Sequence, residues 1–216
     1  MSAVLALSGS PSPISRTASA AQATLALLEA RGHTVDHIAV RELPAADLLG
    51  GNTAHPRIAG AQERIAQADG LIVATPIFKA SYSGLLKSLL DLLPQKALAG
   101  KAVLPLATDG TPTHLLAVDY ALRPVLSVLG ARHIIEGTFL LDSAFTDRAA
   151  GSAHKHIPTP EAHTRLADAL GSTPPTSSAP PKQLVVELPL EPHRAGRPAH
   201  DPRGSRVNHS VSWTHG

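Results

Sequence analysis

Five short apolar segments alternate with helical patterns along the first 170 residues, and this alternation limits the possible folds more than any other feature. The apolar segments lie within residues 3–8, 33–40, 70–75, 101–108 and 131–141, and the helical patterns span residues 18–31, 56–68, 83–93, 114–129 and 160–170. Such alternation predicts a parallel α/β sheet covered by helices on both faces. Ligands of these sheets bind beyond the carboxyl ends of the strands. Residues 44–51 are expected to form a loop, because they contain a proline and a Gly-Gly pair.

The loop from Ser8 to Thr17 joins the first strand to the first helix and has the sequence SGSPSPISRT. A helix N-terminus presents unpaired N–H groups and a partial positive charge, which favours an anion. The hydroxyl groups add donors, and Arg16 adds a guanidinium that can grip a phosphate. We interpret the loop as a cradle for a terminal phosphate. The alternative is an ordinary capped turn in which Ser15 is the N-cap.

Three common types of phosphate loop are excluded by the sequence. The nucleoside-triphosphate pattern G-x-x-x-x-G-K-[ST] is absent, and so is the dinucleotide pattern G-x-G-x-x-G. A cysteine-dependent phosphatase loop is impossible because the chain contains no cysteine.

Charge and composition separate a folded part from a distinct C-terminal segment. Residues 1–171 contain 14 Lys and Arg against 14 Asp and Glu, which gives no support for binding to nucleic acid. No apolar run reaches membrane-spanning length and no secretory signal is visible, so we expect a cytoplasmic protein that does not bind membranes. We predict one domain over residues 1–171. Residues 172–216, rich in proline, serine and histidine, are predicted to be a disordered tail.

A family resemblance is carried by the stretches SGSPSPISRT, TPIFKASYSGLLKSLLDLLP and ATDGTPTHLLAVDYALRPVLSVLGA. The chain resembles the NADPH-dependent FMN reductases of the flavodoxin-like superfamily. Within that group it looks most like the reductase component of two-component alkanesulfonate monooxygenase systems. The resemblance covers about residues 1–170. It implies an α/β, flavodoxin-like three-layer sandwich with a five-stranded parallel sheet.

The same resemblance implies a set of residues that contact FMN. They are Ser10, Ser15, Arg16 and Thr17 at the phosphate, Pro76, Ile77, Phe78 and Lys79 along the ring, and Thr108, Asp109 and Gly110 at its polar edge. Asp109 departs from the family pattern, which has glycine there. If its carboxylate points at the ring, it would repel reduced flavin. If it points away, it would cap a nearby N–H group and change little. Neither a catalytic side chain nor a metal site is predicted.

The function implied by the resemblance is transfer of a hydride from NADPH to FMN. Reduced FMN would then pass to a partner monooxygenase, with sulfur assimilation from alkanesulfonates as the expected setting. One alternative is an enzyme that retains FMN and reduces a quinone, an azo compound or a metal oxyanion. A second is a flavodoxin-type electron carrier, although such carriers are usually strongly acidic. A third is a non-enzymatic domain that binds a phosphate ligand.

Two helical patterns predict a homodimer or homotetramer. Residues 83–93 contain six leucines on more than one face, and residues 114–129 are similarly apolar. Pro124 lies inside the second pattern, where it removes a hydrogen bond and clashes one turn back. We therefore expect a widened, irregular turn near residues 120–124. The resemblance implies that Tyr120 lies at the subunit interface, with its hydroxyl bonded across it.

Overall fold

A computed structural model describes residues 1–147 and 156–171, and its strands and helices follow the expected alternation. The strands are β1 (Ala3–Ser8), β2 (Thr34–Ala39), β3 (Gly70–Phe78), β4 (Ser81–Tyr82), β5 (Ala102–Asp109), β6 (His133–Ile134), β7 (Thr138–Leu141), β8 (Phe145–Asp147) and β9 (His156–Pro158). The α-helices are α1 (Arg16–Glu29), α2 (Ala45–Gly50), α3 (Pro56–Gln67), α4 (Gly84–Leu90), α5 (Arg123–Val128) and α6 (Pro160–Gly171). The predicted tail, residues 172–216, lies outside the described residues. No helix among the described residues is long and apolar enough to cross a membrane.

The parallel sheet has the strand order β2-β1-β3-β5-β6, and β7 also pairs with β5. β6 pairs with the beginning of β5 and β7 with its end, so the fifth strand of the sheet is formed in two pieces. The chain runs from β1 outward to β2 and then crosses back to β3 on the other side of β1. This is the flavodoxin-like order, and its reversal lies between β1 and β3. The predicted fold class is confirmed.

Side chains along each buried strand alternate between the two faces of the sheet, and those on both faces are apolar. Helices therefore cover both faces. On one face the strands pack against α3, α4 and α5 through a cluster that includes Leu5, Leu7, Leu71, Val73, Val103, Ile58, Ile65, Leu86, Leu89, Leu122 and Leu126. On the other face they pack against α1 and α6 through Ala6, Ile72, Leu104, Leu106, Leu140, Ala20, Ala21, Leu25 and Leu166. The structure is a three-layer sandwich.

Two local predictions are wrong. Residues 44–51 were expected to be a loop, but Ala45–Gly50 forms α2, with Leu48 buried and Gly51 in the left-handed conformation that ends the helix. The third strand does not stop at Thr75. It continues through Pro76 to Phe78 and turns back into β4, because the added residues still pair with β5 and with the hairpin partner.

The predicted irregular turn is present in the helical segment after β5. Val118–Leu122 is a π-helix that leads directly into α5, and Pro124 lies at the start of α5. Widening to i→i+5 bonding accommodates a proline that a regular helix would not. Tyr120 lies in the widened turn with 78% of its surface exposed within the subunit.

Gly9, the first residue after β1, allows α4 to approach the sheet closely. A Cβ atom at this position would lie 2.6 Å from the Leu86 Cβ atom and 2.9 Å from the Ser83 Oγ atom. Ser83 is the N-cap of α4, and its hydroxyl donates to the Gly9 carbonyl at 2.6 Å. A glycine here therefore fixes how the start of α4 meets the end of β1.

Gly9→Ala is expected to lower stability by about 1–3 kcal/mol, because the added methyl group meets backbone-anchored neighbours. The melting temperature should fall by roughly 2–4 °C per kcal/mol in a protein of this size. Gly60→Ala is the matched control, since Gly60 lies in α3 with nothing within 4 Å of its Cβ position. That change should stabilise the helix by about 0.5–1 kcal/mol. Equal melting temperatures for the two variants would contradict this account.

Candidate functional site

Three loops meet at the carboxyl edge of the sheet, around the reversal of strand order between β1 and β3. The Gly9 N–H donates to the Ala74 carbonyl of β3 at 2.8 Å, which places the phosphate-loop candidate beside the end of that strand. Pro76 of β3 is the register neighbour of Thr108 in β5. The segments that contain the three predicted groups of site residues therefore lie next to one another.

In the loop from Ser8 to Thr17, Ser15 caps α1, as the ordinary capped turn requires. The loop nevertheless keeps hydrogen-bond donors that an anion could use. Ser15 is the N-cap of α1, and its Oγ atom accepts from the Ala18 N–H at 3.2 Å. The Ser10 Oγ atom accepts from the Ser12 N–H at 3.3 Å. A hydroxyl that accepts one hydrogen bond keeps its own hydrogen to donate. Capping α1 and holding a phosphate are therefore compatible roles for this loop.

Arg16 is the residue whose environment fits a phosphate best. Its Nε atom is buried and has no hydrogen-bond partner among the described residues. One terminal nitrogen, Nη1, lies 3.4 Å from the Oδ2 atom of Asp142, and the side chain is 36% exposed. A buried, unpaired guanidinium nitrogen is costly, and a phosphate oxygen would satisfy it with a charge-assisted bond.

Thr17 faces away from the loop. Its Oγ1 atom lies 2.6 Å from the Oγ1 atom of Thr108, and both side chains are buried. This bond ties the first turn of α1 to the carboxyl end of β5. At the helix N-terminus Thr17 can offer its backbone N–H to a phosphate, whereas its hydroxyl is engaged with Thr108.

The segment predicted to line a flavin ring divides into a buried and an exposed part. Pro76 and Ile77 belong to β3 and are buried, and Ile77 packs with Val118 and Phe139. Phe78 is 52% exposed at the end of the strand. Only the exposed side chains at the tip of this segment are therefore accessible to a ligand.

That tip is a strained two-residue hairpin loop. Phe78 pairs with Ser81, and the residues between them, Lys79 and Ala80, have φ values of 50° and 61°. Positive φ at both positions is the geometry of a tight hairpin turn that usually takes Asn or Gly. Strain of this kind costs roughly 1–3 kcal/mol per residue and concentrates at ligand sites. It keeps Phe78 and Lys79 projecting from the sheet edge.

Asp109 takes the second of its two expected orientations. Its Oδ1 atom accepts from the Gly110 N–H at 2.7 Å, and its Oδ2 atom lies 2.8 Å from the Nδ1 atom of His114. The carboxylate therefore caps the turn and pairs with a histidine. Both oxygens are engaged, so the arrangement does not support repulsion of a reduced flavin by this residue.

Sequence reasoning missed Asp142, which follows β7. Its carboxylate approaches Arg16, and its Oδ2 atom lies 3.6 Å from where a Cβ atom of Gly110 would be. Its position at the carboxyl end of the fifth strand could have identified it as a site residue. The sequence analysis assigned site residues only to the loops after the first, third and fourth strands.

The structure also places His37 beside Ser8, the first residue of the phosphate-loop candidate. It is half-buried at the end of β2, with its Nε2 atom 2.9 Å from the Ser8 Oγ atom. Burial lowers the pKa of His37 below its usual value. The alternation of β2 is loose, so sequence pattern alone did not show which of its faces is covered.

Comparisons with known proteins agree on one family. The sequence profile of the NADPH-dependent FMN reductases matches residues 2–146. An FMN reductase (NADPH) of Pseudomonas putida KT2440 is 51% identical over 140 residues, which cover 65% of this chain and 71% of the relative. The FMN reductase (NADPH) of Escherichia coli K12 is 48% identical over 169 residues, covering 77% and 85%. The apo crystal structure of the NADH:FMN oxidoreductase EMOB superposes with a TM-score of 0.70 at 44% identity, covering 79% and 87%.

Arg16→Ala is expected to weaken FMN binding about 10- to 100-fold, because it removes a charge-assisted bond to the phosphate. The affinity for riboflavin, which has no phosphate, should fall less than about twofold. Quenching of flavin fluorescence measures both dissociation constants. Arg132→Ala is the control, since this exposed arginine precedes β6 at the opposite edge of the sheet. Equal weakening of FMN and riboflavin would remove the phosphate assignment.

Proposed function

This chain belongs to the NADPH-dependent FMN reductase family, and we propose that its loop from Ser10 to Thr17 holds the phosphate of FMN while NADPH reduces the ring. The protein is an NAD(P)H-dependent FMN reductase, an oxidoreductase that acts on FMN and NADPH. The observation that carries the assignment of the loop is the buried Nε atom of Arg16 at the N-terminus of α1, for which residues 1–147 and 156–171 provide no hydrogen-bond partner.

In the proposed mechanism the protein positions two reactants and supplies no acid or base. The hydride donor and acceptor chemistry belongs to NADPH and FMN. Ser10, Ser15 and Arg16 bind the phosphate through hydroxyl and guanidinium donors, together with backbone N–H groups of the first turn of α1. Phe78 and Lys79 would contact the ring from the hairpin tip. The turn after β5, which contains Thr108, Asp109 and Gly110, would contact its polar edge.

We infer that FMN is a substrate that leaves after reduction rather than a permanently bound group. Asp142 supports this, because its carboxylate lies 3.4 Å from Arg16 and offsets part of the charge that would attract a phosphate. A released product requires a consumer, and a flavin-dependent monooxygenase of the alkanesulfonate type is the proposed partner. NADPH is the proposed donor, although relatives named for NADH exist. A cytoplasmic location stays a prediction.

Anaerobic turnover with excess FMN distinguishes substrate from bound cofactor. With protein at a small fraction of the FMN concentration and no other acceptor, NADPH should reduce all of the FMN. The flavin absorbance near 450 nm would then bleach completely over many turnovers. An enzyme that retains its flavin would bleach one equivalent per site and would continue only after a quinone was added. That second result would favour the quinone, azo or metal-oxyanion reductase.

We further propose that the subunit assembles through the segment around Tyr120. Leu115, Leu116, Tyr120 and Val128 are each more than half exposed within the subunit, although they are apolar or aromatic. The leucines of residues 83–93 contribute less than expected, since all six are at least partly buried within the subunit. The exposed apolar surface that supports a dimer or tetramer therefore lies on residues 115–128, which include the π-helix and α5.

Tyr120→Arg is expected to dissociate the oligomer, because it places a charge in the proposed apolar contact. Light scattering at micromolar protein concentration gives the mass directly. Leu49→Arg is the matched control: Leu49 is 81% exposed but lies on α2. A wild-type monomer, or equal effects of the two substitutions, would remove the proposed interface.

A further inference from the structure

An aspartate–histidine pair lies at the turn after β5, and the proposed mechanism gives its histidine no role. The Nδ1 atom of His114 lies 2.8 Å from the Oδ2 atom of Asp109. The Asp109 side chain is 13% exposed and the His114 side chain is 32% exposed. Asp109 occupies a position where the family pattern has glycine, which has no side chain to hold an imidazole.

The backbone fixes both members of the pair. Asp109 is the last residue of β5 and pairs in register with Leu141 of β7, and its Oδ1 atom accepts from the Gly110 N–H. His114 ends the 3₁₀ turn Pro112–His114, which Thr111 caps with its hydroxyl group. The imidazole is therefore anchored at the carboxyl edge of the sheet, where the proposed flavin site lies.

Asp109 determines which nitrogen of a neutral imidazole carries the hydrogen. An ionised carboxylate can only accept hydrogen bonds, so Nδ1 must donate to it, and the other nitrogen, Nε2, is then an acceptor. In the described part of the chain no group bonds the Nε2 atom of His114. This atom is also not one of the buried atoms that lack a partner, so it is accessible. The pair therefore presents one accessible acceptor in a fixed direction.

The flavin ring has one group that matches this acceptor. Its polar edge consists of carbonyl oxygens and ring nitrogens that accept hydrogen bonds, together with the N3–H group, which donates. An acceptor on the protein is therefore complementary to N3–H alone. Because oxidised and reduced flavin both carry N3–H, a bond to it would hold the ring in either state. Such a bond does not oppose the release of reduced FMN more than that of oxidised FMN.

We propose that the Nε2 atom of His114 accepts a hydrogen bond from the N3–H group of FMN, and that Asp109 is the positioning residue that sets the tautomer. The inference rests on the proposed function, because it requires the ring to contact the turn after β5. No proton is transferred in this contact. A bond that is equally strong before and during hydride transfer lowers KM without raising kcat.

The binding test compares riboflavin with 3-methylriboflavin, in which a methyl group replaces the N3 hydrogen. His114→Ala should raise the dissociation constants of FMN and riboflavin by the same factor, about fivefold, as expected for the loss of one hydrogen bond. It should not weaken 3-methylriboflavin. The KM for FMN should rise about fivefold with kcat unchanged. The control is His133→Ala, since His133 is an exposed histidine of β6 beside the beginning of β5, and it should change none of these values.

The tautomer test uses the nitrogen chemical shifts of His114 in the protein without flavin, at about pH 8, where histidine is ordinarily neutral. The wild-type protein should carry the hydrogen on Nδ1. In Asp109→Asn the amide oxygen can keep the bond to Gly110 while the amide nitrogen faces Nδ1, so the hydrogen should move to Nε2. Riboflavin should then weaken as in His114→Ala. A wild-type hydrogen on Nε2, or an unchanged tautomer in Asp109→Asn, would overturn the positioning role.

The remaining outcomes separate this contact from the proposed function. Unchanged riboflavin binding in His114→Ala, or equal weakening of riboflavin and 3-methylriboflavin, would overturn the contact, and FMN reduction by the wild-type protein would stand. The second of these results would mean that His114 only supports the shape of the turn. If riboflavin binds as expected but the wild-type protein does not reduce FMN, the contact stands and the proposed function is wrong.

Discussion

Both backbone polar groups of Gly9 are bonded, and the arrangement of the site depends on this. Its N–H donates to the Ala74 carbonyl of β3, and its carbonyl accepts from the Ser83 hydroxyl that caps α4. The end of β1 is thereby fixed between its neighbouring strand and a helix on one face. The loop that follows begins from a defined point, so Ser10, Ser15 and Arg16 are held at the reversal of strand order. Only a residue without Cβ fits there.

Much of the fold could be predicted from the sequence because its signals are local. Buried parallel strands give continuous apolar runs, and β1 was predicted at its observed bounds. The π-helix was predictable because Pro124 cannot sit in a regular helix interior. The short helix α2 was not predictable, since six residues give too little periodicity and the glycines at its end favour a loop. The extension of β3 to Phe78 depends on pairing with β5, which no local pattern encodes.

The sequence predicted which segments lie at the site, but not how their side chains are oriented. The three loops meet as expected, because carboxyl ends of parallel strands share one edge. Which way each side chain turns depends on partners distant in sequence. Thr17 faces Thr108, and Asp109 is paired with His114. Asp142 reaches Arg16 from a strand end that the sequence did not single out. In the proposed site, the Asp142 carboxylate near Arg16 would weaken the binding of a phosphate, which is a physical route to a flavin that is bound, reduced and released.

The most direct test of the central claim is a crystal structure of the protein with FMN. The account predicts that the phosphate lies at the N-terminus of α1, with one oxygen within hydrogen-bond distance of the Arg16 Nε atom. The Ser10 and Ser15 hydroxyl groups should donate to the same phosphate, and the ring should lie between Phe78 and Gly110. A phosphate placed elsewhere, with Arg16 Nε still unpaired, would contradict the account.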